Sequence, residues 1–204
     1  RPGAARAGLR SLEGAGPDST VLLCVAMFRR EKNQRELIEI VADLPTGSKW
    51  QLWLAGDGPA RPACEQLVAS KGLSQRIKFL GFHRDPSPFY RAADLAVHAS
   101  WSESLSNFLI EAQAHGLPFV AYETQGVREC CLPGRTGWPV ARDDRIAFRA
   151  ELLGRMAASP ATREATSAAA RDFACNTFDF ARQTAAYLDL FARLMVVPAG
   201  RPGP

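Results

Sequence analysis

The sequence predicts a doubly wound α/β domain: a parallel sheet, Rossmann-like, with a helical C-terminal tail. Three observations carry that expectation. Short apolar runs alternate with segments of helical period. One of those runs, Val21-Leu-Leu-Cys-Val-Ala-Met27, is nearly unbroken, as in strands buried on both faces of a parallel sheet. The repeated strand-then-helix order is the one that right-handed crossovers build.

The elements follow in chain order. Residues 1–19 mix Gly, Pro, Ala, Arg and Ser without apolar period and read as an irregular arm or linker. The first strand runs from Thr20 to Phe28. Residues 32–44 switch to helical period, with Leu37, Ile40, Val41 and Leu44 on one face and Pro45 as the stop. Gln51–Ala55 is the second strand, closed by the turn Gly56-Asp57-Gly58-Pro59. A helix over 60–71 ends at Gly72. Ile77–Leu80 is a strand, 86–92 a short helix and Asp94–Ala99 the next strand. A loop at 100–105 leads into a helix over 106–115. Strands at 118–122 and 138–140 come next, then helices near 144–158, 160–175 and 178–195. The domain therefore spans 20–195, with 196–204 as a disordered tail.

Composition narrows the function. The 204 residues are 47% hydrophobic and 23% charged, with a net charge of +4, which is globular and excludes disorder or a coiled coil. The 25 basic residues are almost all arginine; Lys32, Lys49, Lys71 and Lys78 are the exceptions. No basic stripe with interleaved aromatics appears, so no nucleic-acid partner is expected. The five cysteines show no CxxC and no zinc spacing. They read as free thiols in a reducing compartment, hence a cytoplasmic setting. No apolar run is long enough to cross a bilayer, and no secretory signal opens the chain.

Ligands of doubly wound sheets sit in the loops at the carboxyl ends of the strands. The first such loop, Phe28-Arg29-Arg30-Glu31-Lys32-Asn33, carries cations toward a helix N-terminus, where a phosphate is stabilised. After the fourth strand comes Glu103, and inside the next helix Glu111, with seven residues between them. A carboxylate within Phe108-Leu-Ile-Glu-Ala112 is costly unless bonded or beside a cleft. Ser104, Ser106 and Asn107 crowd the start of that helix, where backbone N–H groups receive anions. Gly126 and the glycines of Pro133-Gly-Arg-Thr-Gly137 permit a tight turn or a close backbone approach. Of the histidines, His98 lies in a strand near its ligand end and His115 closes a helix.

These segments resemble the donor-binding C-terminal domain of the retaining GT-B glycosyltransferases, family 4 or group 1, from about Val21 to Leu194. The likeness rests on Glu31-Lys-Asn33, Leu54-Ala-Gly-Asp-Gly-Pro59, Ile77-Lys-Phe-Leu-Gly-Phe82, Ala93-Asp-Leu95, Ser102-Glu103 to Ile110-Glu-Ala112, Gly116-Leu-Pro118 and Gly134-Arg-Thr-Gly137. The resemblance implies that Lys32, helped by Arg29, binds the donor diphosphate. It implies that Glu111 holds the ribose, that Glu103 meets the sugar and that the backbone of Leu105 to Phe108 takes the distal phosphate. Gly56 joins this binding set, with Gly81, Phe82 and His83 beside the base. Ala26-Met27 stands where the family often has Gly-Arg, and Glu103-Ser-Leu-Ser106 where it has Glu-Gly-Phe-Gly.

No Asp-x-Asp is present, so neither a metal nor another cofactor is expected. The implied partners are a UDP or GDP sugar and, through an acceptor domain missing from this chain, a sugar, lipid or polysaccharide. The isolated half is then expected to be inactive. The intact enzyme is expected in the cytoplasm, with a peripheral membrane position open to it. Two other readings stand beside this one: a non-catalytic nucleotide-sugar-binding module, and a nucleotide-sugar epimerase or hydrolase on the same fold.

Overall fold

The computed structural model describes residues 2–195. Six strands form one sheet: β1 (Thr20–Val25), β2 (Trp50–Ala55), β3 (Ile77–Gly81), β4 (Leu95–His98), β5 (Phe119–Tyr122) and β6 (Gly137–Val140). All neighbours are parallel and the spatial order is β3-β2-β1-β4-β5-β6. The chain starts in the middle, winds to one edge, returns and winds to the other. The reversal falls between β1 and β4, where ligand crevices of open α/β sheets form.

Eight α-helices complete the fold among the described residues: α1 (Pro2–Leu12), α2 (Gln34–Ala42), α3 (Arg61–Ser70), α4 (Ser87–Ala92), α5 (Asn107–Ala114), α6 (Arg145–Met156), α7 (Pro160–Thr177) and α8 (Phe180–Met195). Helix α2 packs against α3 and α6, α1 against α4, and α5 against α7. Leu22, Leu23, Leu52, Trp53, Ala96, Val97, Phe119 and Val120 are fully buried, as two-sided cover of a parallel sheet requires. Among the described residues no helix is long and apolar enough to cross a membrane. The expected tail at 196–204 lies outside the described residues.

Two local expectations change. Residues 2–12, read as irregular, are helical. The helix is anchored chiefly by ionic contacts, with Leu9 packed against the core. Arg6 and Arg10 both donate to the carboxylate of Asp94, Arg10 at 2.8 Å, and Asp94 also accepts the Val21 N–H at 2.7 Å. The helix expected over 32–44 is divided. Arg30–Lys32 form one 3-10 turn, Asn33 sits in the left-handed region at φ 50°, and α2 begins at Gln34. Asparagine tolerates that conformation better than other side-chain-bearing residues. Lys32 therefore ends a turn and does not open the helix.

Candidate active site

The loops at the carboxyl ends of β1, β2, β4 and β5 are brought together by backbone contacts. The Glu31 carbonyl, after β1, accepts the Trp101 N–H at 2.8 Å and the Ser100 hydroxyl at 3.0 Å, both after β4. The loop after β2 folds onto the loop after β1. A Cβ on Gly58 would stand 2.6 Å from the Phe28 carbonyl oxygen, and Gly58 lies at φ +147°. Gly126, after β5, sits at φ +79° with its Cα hard against the Ser104 carbonyl, leaving no room for a side chain. Glycine at 58 and 126 is thus required for both conformation and space.

This closure places Lys32 on Glu103, Nζ to Oε1 at 2.7 Å. The same Oε1 lies 2.6 Å from Nε2 of His98, the last residue of β4. The Glu103 side chain is only 8% exposed. Burial alone would favour its neutral acid. The hydrogen bonds from His98 and Lys32 outweigh that and hold its carboxyl down at about 2. A carboxyl lowered on folding adds stability above its unfolded value of about 4.3 and loses it as the pH falls toward the folded value. The melting-temperature gap between wild type and Glu103→Gln is therefore expected to be constant above about pH 5 and to shrink as the pH falls through 4 and 3. A gap that widens on acidification would contradict the assignment.

Eight residues on, Glu111 leaves α5 on the exposed side and accepts the Tyr90 hydroxyl at 2.8 Å. Tyr90 is buried, with its ring stacked on His115 at 5.0 Å and on Phe108 at 6.1 Å. Burial, and then the bond to Glu111, pushes the Tyr90 hydroxyl up, so it remains a donor. Between the two glutamates, Ser106 occupies the cap position of α5 at ψ 100°, but its side chain makes no cap bond. The expected serine cap is thus not formed. The first N–H groups of α5, from Asn107 onward, begin a helix end that attracts anions. Ser104, Leu105 and Asn107 are exposed there, and Phe108 is buried behind them.

The remaining expected residues fall into two places. Phe82 and His83 line an apolar cavity of about 450 Å³ with Met27, Gly56, Asp57 and Pro86. Gly81 stands beside it, its carbonyl accepting the Gly56 N–H at 2.7 Å. Arg29 is not drawn into the cluster. Its side chain is 55% exposed and faces Glu31 at 3.9 Å, and no ion pair among the described residues joins it to Glu103. Sequence reasoning missed the His98–Glu103 and Tyr90–Glu111 bonds. The available signal for the first was a histidine inside the apolar strand Leu95-Ala-Val-His98.

A second cavity, about 590 Å³, opens at the opposite end of the sheet beside Thr20, Leu95 and Pro118. Five arginines line it, and three of them already serve the helix ends that converge there. Arg6 donates to the carbonyls of Arg91 and Ala93, Arg163 to those of Met156 and Ala158, and Arg171 to that of His115. Cations at helix C-termini offset the dipole, so this cavity is the poorer anion site despite its size.

The family model for glycosyl transferases group 1 matches residues 19–157, and the chain belongs to that family. It is 31% identical over 175 residues to the lipopolysaccharide core biosynthesis glycosyltransferase LpsE of Rhizobium meliloti (strain 1021), covering 86% of this chain and 50% of that protein. It is 33% identical over 164 residues to the alpha-D-kanosaminyltransferase of Streptomyces kanamyceticus, covering 79% and 42%. The fold matches the crystal structure of Anabaena Alr3699/HepE in complex with UDP-glucose, with TM-score 0.82 and 24% identity, covering 91% of this chain and 52% of that one. The chain spans about half the length of the relatives it matches.

Proposed function

We propose that this chain is the donor-binding half of a retaining glycosyltransferase, which moves a sugar from a nucleoside diphosphate to an acceptor. The observation that carries the reading is the meeting of Lys32 and Glu103 beside the open start of α5, at the carboxyl ends of parallel strands. The named activities of the relatives and the UDP-glucose complex of HepE support it.

In this reading the bond from the anomeric carbon to the diphosphate oxygen breaks, one from that carbon to an acceptor oxygen forms, and the acceptor hydroxyl's proton leaves with the departing diphosphate. The departing diphosphate gains negative charge, which the Lys32 ammonium and the N–H groups of Leu105 to Phe108 stabilise. Glu111 receives the ribose hydroxyls, held in place by Tyr90. Glu103 receives a sugar hydroxyl. The apolar cavity by Phe82 and Met27 takes the base. No metal is required in this scheme. The acceptor half lies outside these 204 residues. The exposed face of α8, with Tyr187, Leu188, Phe191 and Leu194, is the surface on which it packs.

Titration calorimetry in EDTA tests the site. Lys32→Ala is expected to weaken UDP or GDP but not uridine or guanosine. Glu111→Ala is expected to cost about 1–3 kcal/mol for either, the scale of hydrogen bonds to a charged group. Glu103→Gln frees Lys32 from its carboxylate partner, so it is expected to leave the bare nucleotide bound at least as tightly. Equal losses of diphosphate and nucleoside in Lys32→Ala would show a lysine that supports the fold alone.

A further inference from the structure

Glu103 owes its geometry to a residue that no role yet covers. His98 is 2% exposed and Cys24, on the neighbouring strand β1, is 1% exposed. The His98 ring runs from Nε2, 2.6 Å from Glu103 Oε1, to Nδ1, 4.0 Å from Cys24 Sγ. The Phe108 ring meets it edge-on at 5.4 Å. Among the described residues the ring makes these two polar contacts.

For a neutral imidazole the donors and acceptors along this line have one consistent assignment. An ionised carboxylate only accepts, so Nε2 must carry the proton it shares with Glu103. At the other end, burial pushes the Cys24 thiol up to about 12, against the pull of Lys32. The sulfur therefore keeps its hydrogen and can offer it, weakly, to Nδ1. Cys24 S–H to Nδ1, then Nε2–H to Oε1, is one consistent chain, and it specifies one tautomer. Lys32 binds that same Oε1 and the Ser100 hydroxyl also lowers the carboxyl; neither the Lys32 nor the His98 bond uses Oε2, which can meet a ligand.

We propose that His98 is a positioning residue for the sugar-binding carboxylate: with Cys24 setting its tautomer, it orients Glu103 so that Oε2 meets a hydroxyl of the transferred sugar. The inference rests on the donor reading above and adds a specific consequence to it. Lys32 is drawn to the diphosphate when donor binds, because the phosphates compete for its charge. His98 has no such competitor, so its bond to Glu103 persists while sugar is present. Loss of His98 therefore acts on the sugar part of the donor and spares the nucleotide part.

Two readouts on the full 204-residue chain test this. Long-range proton–nitrogen NMR of the imidazoles, assigned by the signal lost in His98→Gln, reports the tautomer directly. Proton on Nε2 alone is expected for His98, and exchange between tautomers is expected in Cys24→Ala. Proton on Nδ1 alone overturns the proposal. Calorimetry then compares UDP-glucose with UDP, and GDP-mannose with GDP. His98→Leu is expected to weaken the nucleotide sugar by about tenfold, the scale of one hydrogen bond to a charged group, with the bare nucleotide unchanged. His98→Gln, which can still present an N–H to Glu103, is expected to recover most of that loss and covers the case of a misfolded leucine variant. An equal loss for sugar and bare nucleotide, or none, overturns the proposal while the donor reading stands. Wild type that binds none of the four ligands removes the donor reading and the proposal with it.

Discussion

Asp94→Ala is expected to remove about 3–5 kcal/mol of folding stability, the cost of leaving a buried cation without its partner. The Asp94 side chain is 17% exposed and that of Arg10 is 9% exposed. Three donors converge on the carboxylate: Arg6, Arg10 and the Val21 N–H. They come from α1 and from the start of β1, so a single carboxylate ties the N-terminal helix and the central strand to the α4–β4 turn. Domains of this size hold about 5–15 kcal/mol in all, so the loss is a large fraction of the whole. Asp94→Asn keeps an acceptor for Val21 and is expected to lose less. Replacing Arg10 by Leu in the alanine variant is expected to restore part of the stability, because the stranded charge is gone. Urea unfolding of the four proteins checks this. A loss below about 1 kcal/mol would mean a pair screened like a surface ion pair.

Gly126→Ala is expected to abolish most nucleotide binding with a smaller effect on folding. The position lies at φ +79°, which costs an alanine about 1–2 kcal/mol. The added methyl would also overlap the Ser104 carbonyl, and the segment Ser104–Asn107 has to move. That segment forms the mouth of α5, where the distal phosphate is proposed to sit, and at least tenfold in affinity is expected to go with it. Gly134→Ala is the control. It has nearly the same backbone, φ +75°, but open space around it. It is expected to lose the conformational term and none of the binding. Calorimetry and thermal melts on both variants separate the two contributions.

Much of the fold is legible because the signals that specify it are local. The buried strands read as apolar runs, and the helices other than α1 show their period or their stops. Helix α1 is hidden for a physical reason: its attachment is chiefly ionic and long-range, and Asp94 lies more than eighty residues from Arg6 and Arg10. The break at Asn33 is hidden in the same way, since a left-handed residue depends on what the next turn must reach. In the site, the two glutamates and Lys32 are legible from type and spacing. Their partners are not. Tyr90 and His98 look like core residues in apolar segments, and only folding shows that each bonds a carboxylate. Arg29, expected beside Lys32, instead faces Glu31 across 3.9 Å, because it precedes the 3-10 turn in extended backbone at φ −118° and ψ 157°.

The most direct measurement is a backbone amide NMR titration of the isolated chain with UDP and with GDP. Ligand at the carboxyl ends of the strands is expected to move the amides of Lys32, Gly56–Gly58, Gly81–His83, Ser104–Leu109 and Gly126. Thr20, Leu117, Arg155 and Arg163, around the 590 Å³ cavity at the other end, are expected to stay still. Shifts confined to those four residues, or saturation with none at Ser104–Leu109, would contradict a donor site built on Lys32, Glu103 and Glu111.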